Sequence, residues 1–177
     1  KKAMKGHVDL LGPATAVANE LMGIPSFDTP DYSELFSEEK ELISKLKKAF
    51  LMVAGGAVQK YGPDLEDQQQ LLTAAADMLI EIYMVESAVL RTEKMAKKLG
   101  ADKVVDQIAM TQLYLYNAVD VVTQKGKEGI VSFAEGDEQR MMLMGLRRYT
   151  KYFNMPNVVK LREQIAAKVI AENKYCF

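Results

Sequence analysis

The sequence predicts an all-α fold, an elongated antiparallel bundle of four to five helices with an N-terminal helical extension. Three observations carry that reading. Apolar residues recur at steps of three and four through most of the 177 residues. The breaks between those runs are short and pair glycine or proline with an acidic residue. No segment alternates apolar and polar residues as a half-buried strand does. Hydrophobic residues make up 49% of the chain and charged residues 27%, enough for one packed core and outside the range of disordered chains.

From Ala3 to Met22 the residues favour helix, and Gly12-Pro13 interrupts them, so two short helices or one kinked helix are expected there. Gly23 to Phe36, with Pro25 and Pro30 among its turn formers, reads as a loop; residues 1–36 are therefore an extension and 37–177 the bundle. Ser37 is placed as the N-cap of a helix with Leu42, Leu46, Phe50, Val53 and Ala57 on one face. Gly62-Pro63 stops it, and Gly55-Gly56 inside it implies a close helix contact. Asp64 then caps a long helix whose seam reads Leu72, Ala75, Leu79, Ile82, Glu86, Val89, ending in Lys97-Lys98 before Gly100.

Asp102 caps the next helix, with Val104, Ile108, Leu115, Val119 and Val122 inward and Gly126 and Gly129 marking its end. Asp137 to Thr150 supplies a further helix, and Pro156 opens the last, with Val158, Leu161, Ile165 and Val169 as its inner stripe. The short connections after Tyr61 and Leu99 make neighbouring helices antiparallel.

Composition also excludes chemistry. With 23 basic and 24 acidic residues the formal charge is −1, so nothing draws the chain to nucleic acid or to an anionic membrane surface. His7 is the sole histidine; a di-iron bundle, a nucleophilic triad and a zinc site of usual composition all need more. Cys176, the sole cysteine, has no histidine beside it and reads as inert, and one cysteine suits a cytoplasmic protein. There is no phosphate loop and no dinucleotide-binding glycine motif. No catalytic, cofactor-binding or metal-ligating residue is therefore assigned.

The remaining polar features read as structure. Asp77 and Glu81 are expected on a solvated acidic face, and Glu86 in an ion pair at a helix junction. Met141, Met142 and Met144 suit core filling ahead of an adaptable partner groove. Tyr114 and Tyr116 suit half-buried rings with wet hydroxyls, or equally a docking surface. Arg147, Arg148 and Lys151 complement a helix dipole.

The stretch Leu71 to Tyr83, LLTAAADMLIEIY, followed by Ser87-Ala88-Val89-Leu90-Arg91, resembles the long helix in the C-terminal region of acyl-CoA dehydrogenases, above all the very-long-chain type. The closing segments, Leu161 to Ala166 and Glu172 to Phe177, look like the tail of bacterial members with an extra helical domain. A chain opening Lys1-Lys2-Ala3-Met4, without an initiating methionine and already in helical rhythm, reads as part of something longer. The resemblance implies that FAD, the acyl-CoA tunnel and the catalytic base belong to a core that precedes this chain. It also implies that the domain packs on that core, that the parent is a homodimer, and that electrons leave to an electron-transfer flavoprotein. The insertion thought to meet the membrane in very-long-chain members is replaced by the short, acidic Gly23 to Phe36, which argues against membrane attachment. The competing reading is a free-standing helical-bundle interaction module. It expects no large exposed apolar patch beyond a tyrosine and methionine groove, whereas a domain parted from its core exposes a docking face, expected along Ala3 to Met22.

Overall fold

The computed structural model describes residues 9–23, 32–174 and 176. Among them are six α-helices, α1 (Leu11–Met22), α2 (Ser37–Tyr61), α3 (Gln69–Leu99), α4 (Val105–Phe133), α5 (Gly136–Tyr149) and α6 (Val158–Glu172), with short 3₁₀ turns at Gly62–Asp67 and Ala101–Lys103 and no strand. The all-α antiparallel bundle is thus the observed architecture. Residues 1–8, including His7, and residues 24–31 of the expected loop lie outside the described residues.

α2, α3 and α4 form the frame. Lys40 near the start of α2 pairs with Glu93 near the end of α3 at 2.8 Å, and Lys47 pairs with Glu86 at 2.5 Å. Lys125 late in α4 reaches Asp77 early in α3, while Thr111 early in α4 meets Thr92 late in α3. Each successive pair is therefore antiparallel. α3 and α4 share the most extensive interface; α5 closes the open side against α2 and α4, α1 lies on α2, and α6 lies on α4. The core runs through the middle of this arrangement, with Leu46, Val53, Met78, Val85, Ala118, Val122 and Leu146 removed from solvent.

Helix ends depart from the expected caps in three places. Phe36, not Ser37, holds the N-cap of α2 with a left-handed φ of 64°, a conformation that costs an L-residue about 1–2 kcal/mol. Its ring is buried in the core, and burial of an aromatic side chain offsets that cost. Asp64 and Asp102 fall inside the 3₁₀ turns and cap neither long helix, which begin at Gln69 and Val105. The stops are as expected. Gly62 and Gly100 follow α2 and α3 with φ of 52° and 98°, a region that glycine alone enters without penalty.

Gly12-Pro13 lies within α1 and does not end it, and the part of the expected helical stretch that falls on residues 3–8 lies outside the described residues. Gly12 and Pro13 sit in the first turn of α1, where the missing proline N–H has no partner to lose, and the Asp9 carboxylate accepts from the Gly12 N–H at 2.8 Å. Gly126 and Gly129 do not end a helix either, since α4 continues to Phe133. A Cβ at Gly126 would lie 2.7 Å from Leu146 Cδ1, and one at Gly129 would lie 2.9 Å from Val53 Cγ1. These glycines let α5 and α2 approach α4, at a helix-propensity cost of about 1 kcal/mol each. Gly55 and Gly56 act as expected, with Ala14 of α1 against the first and Phe133 against the second.

Candidate functional site

The carboxylates singled out in the sequence are held between helices. Asp77 and Glu81 face α4, where Lys125 pairs with Asp77 at 3.5 Å and the Tyr114 hydroxyl donates to Glu81 Oε2 at 2.9 Å. Neither belongs to a merely solvated face. Glu86, on the α2 side, forms the ion pair with Lys47. Each acid clamps one helix to its neighbour, and no group of three or more histidine, cysteine, aspartate or glutamate residues is placed to hold a metal among the described residues.

Burial and the Glu81 carboxylate push the Tyr114 phenol up to about 12, because both disfavour a second negative charge there. Tyr116 stands 6.4 Å from Tyr152 in a tilted ring pair. The methionines divide. Met142 is buried in the core and Met144 is exposed, while Met141 and Met142 line a cleft of about 500 Å³ with Met22, Met52, Gly55 and Gly56 between α1, α2 and α5. Cys176 is a free, half-buried thiol.

A feature that sequence reasoning missed lies under α6. A cleft of about 400 Å³ opens between the first turns of α2, the N-terminal half of α4, the α5–α6 connection and α6 itself. Glu38 accepts from the backbone N–H and side-chain amide of Asn154, and Gln112 donates to Glu39 at 2.7 Å. Tyr152 contributes to the lining of this cleft, and its hydroxyl is buried with no hydrogen-bond partner among the described residues. Burial, followed by the charges of Asp120 and Glu39, drives its pKa well above the ordinary phenol value. With two carboxylates and Lys160 as the only cation in its lining, the cleft is poorly suited to a phosphate or diphosphate. It holds no nucleophile activated by a base. Nothing in the periodicity pointed to it, because it is made by a connection folding back on a helix face.

The inner surface of α3 is also rotated from expectation. The residues turned to α2 and α4 are Leu71, Ala74, Met78, Ile82, Val85, Val89, Thr92 and Ala96, whereas Leu72 and Leu79 of the expected seam are exposed. α6 buries no residue completely, with Val158, Leu161 and Ile165 half-buried and Val169 exposed. No helix of the described residues is long and apolar enough to cross a membrane.

These helices have close counterparts in known proteins. The chain is similar to a probable acyl-CoA dehydrogenase of Bacillus subtilis (strain 168), with 35% identity over 175 residues that make up 99% of this chain and 29% of the relative. The crystal structure of an acyl-CoA dehydrogenase complexed with FAD from Bacillus anthracis superposes with a TM-score of 0.88 and 36% identity, over 99% of this chain and 29% of that one. The chain therefore spans less than a third of the length of these relatives. Residues 45–148, from the first turns of α2 to the end of α5, match the family described as acyl-CoA dehydrogenase, C-terminal domain. By that match and by the similarity of nearly its whole length, the chain belongs to the acyl-CoA dehydrogenase C-terminal domain family.

Proposed function

We propose that this chain is the C-terminal accessory domain of a flavin-dependent acyl-CoA dehydrogenase, and that it packs on the flavin-bearing core of the same polypeptide and buttresses it. The parent removes hydrogen from the α and β carbons of a fatty acyl-CoA, passes the hydride to FAD and hands the electrons to an electron-transfer flavoprotein. The flavin supplies the redox chemistry and the core positions it. This chain takes no step in that reaction. Asp77, Glu81 and Glu86 are engaged between helices, and the cleft under α6 carries carboxylates that disfavour a diphosphate.

The observation that carries the reading is the match of nearly the whole chain, at a TM-score of 0.88, to under a third of a dehydrogenase complexed with FAD. Residues 37–177 are the bundle proper, which encloses the family match, and residues 1–36 are a leading extension. The parent is a homodimer working in the cytoplasm without membrane attachment. An interaction module that stands alone is the weaker reading, because α3 exposes a large apolar surface away from the methionine-lined cleft.

Purification of the complete gene product tests the proposal. It is expected to carry bound flavin whose oxidised absorption bleaches on addition of a fatty acyl-CoA. A complete product that begins at Lys1, or one that binds no flavin and leaves acyl-CoA unchanged, overturns it.

A further inference from the structure

α3 is apolar on two sides. Opposite its buried seam, Leu72, Leu79, Ile80, Tyr83, Met84 and Leu90 are between 37% and 67% exposed. At 3.6 residues per turn these six fall within an arc of about 140°, so they make one stripe of roughly 27 Å along the helix. Arg91, Lys94 and Lys98, all exposed, extend the same arc toward the C-terminal end. The helices that pack on α3, α2 and α4, take its other side. Isolated exposed apolar residues such as Met144 and Ile170 are ordinary on a protein surface. A continuous stripe with a tyrosine and a methionine in it marks an interaction surface.

We propose that this stripe is the surface on which the remainder of the parent polypeptide docks, through an apolar helical patch bounded by carboxylates that face Arg91, Lys94 and Lys98. The inference rests on the reading of the chain as a dehydrogenase accessory domain and adds the face that makes the contact. The occupant follows from chain length. More than two thirds of each matched relative lies outside the part this chain covers, so a far larger body is tethered to every copy of the stripe. Tethering sets an effective concentration on the order of millimolar, which a second copy does not have. Of the contact expected along Ala3 to Met22, residues 3–8 lie outside the described residues, and α1 exposes only Leu11 and Met22 as large apolar side chains while Ala14 and Val17 are buried against the bundle.

Thiol protection in the full-length polypeptide decides the matter. In a Cys176→Ser background, Tyr83→Cys and Met144→Cys are made one at a time; the two positions are 67% and 70% exposed in this chain. Maleimide labelling is followed peptide by peptide in the flavin-loaded protein. Tyr83→Cys is expected to label at least about tenfold more slowly than Met144→Cys, because burial of a thiol suppresses its reaction. The paired variant Leu79→Lys/Tyr83→Glu is expected to release the domain to protease several-fold faster while flavin stays bound. Equal labelling at the two positions overturns the proposal, and so does oxidative cross-linking of Tyr83→Cys between two chains, which would put a second copy on the stripe. A full-length protein without flavin fails the functional reading instead, so the two failures are separable.

Discussion

Thr92 and Thr111 are the buried polar residues of the interface between α3 and α4, their hydroxyl oxygens 2.8 Å apart. Thr111 spends its proton on the Gln107 carbonyl at 2.8 Å, so Thr92 must be the donor to Thr111. The two substitutions are therefore not equivalent. Thr111→Val strips the acceptor from a buried donor and is expected to cost about 1–2 kcal/mol, whereas Thr92→Val leaves the Thr111 proton bonded and costs less. The double variant replaces both partners by apolar groups of similar shape and is expected to recover most of the loss. Urea unfolding of the four proteins gives the coupling directly, and strict additivity of the two losses would sink the assignment. The same scale shows where sequence reasoning stops. Gly62 and Gly100 were legible as stops because a proline or an acidic turn follows each, yet Gly126 and Gly129 carry the same residue type for another reason. What separates them is Leu146 and Val53 pressing on α4 from other helices, and no local pattern contains that.

At the level of elements, the number, order and polarity of the helices were legible, because helix breaks are written in glycine, proline and acidic residues close in sequence. The orientation of α3 was not. A helix apolar on two faces admits more than one seam, and alternating steps of three and four selected an arc between the two real ones. Its buried face is set by contact with α2 and α4, which the pattern does not identify. α6 shows the opposite case. Its spacing predicts an inner stripe, yet nothing on it is fully buried, and beyond its packing on α4 its anchoring side-chain bonds come from Gln164 to the Asp106 carboxylate at 3.0 Å and to the Val105 carbonyl at 3.4 Å. Local opening follows burial. Hydrogen exchange is accordingly expected to release the α6 amides well before those of α3 and α4, with little change in global unfolding on Gln164→Ala. Exchange of α6 in step with the core would show that the helix is held far more firmly than its exposure implies.

Across the whole molecule, what the sequence says of chemistry it says by exclusion, since a single histidine and a single cysteine are too few for most catalytic arrangements. The cleft under α6 was invisible for the reverse reason. Its parts come from α2, α4 and a connection, and Tyr152 became notable only when its hydroxyl was enclosed. Tyr152 is one of four described tyrosines whose raised phenols tie the bundle to pH; Tyr32 is pushed up to about 12 mainly by its hydrogen bond to Glu41, and the other three largely by burial. Tyr114 is pushed up to about 12 by burial and by Glu81, Tyr149 to about 12 by burial and by the charge of Glu20, and Tyr152 higher still by burial. An unfolded tyrosine loses its proton near 10. Between about pH 10 and 12 the folded chain therefore holds more protons than the unfolded chain, and stability must fall as pH rises through that window, having been fully present below it. These three phenols lie in different parts of the bundle, Tyr114 bonded from α4 to Glu81 of α3, Tyr149 at the end of α5 within the influence of the Glu20 charge on α1, and Tyr152 in the lining of the cleft under α6, so the loss is expected to be felt throughout the bundle and not at one end. Urea midpoints of the 177-residue chain measured from pH 9 to pH 12 are expected to drop most steeply above pH 10. Tyr114→Phe/Tyr149→Phe removes two of the titrating groups and is expected to flatten that drop, and an unchanged slope in the double variant would place the alkaline loss outside these phenols.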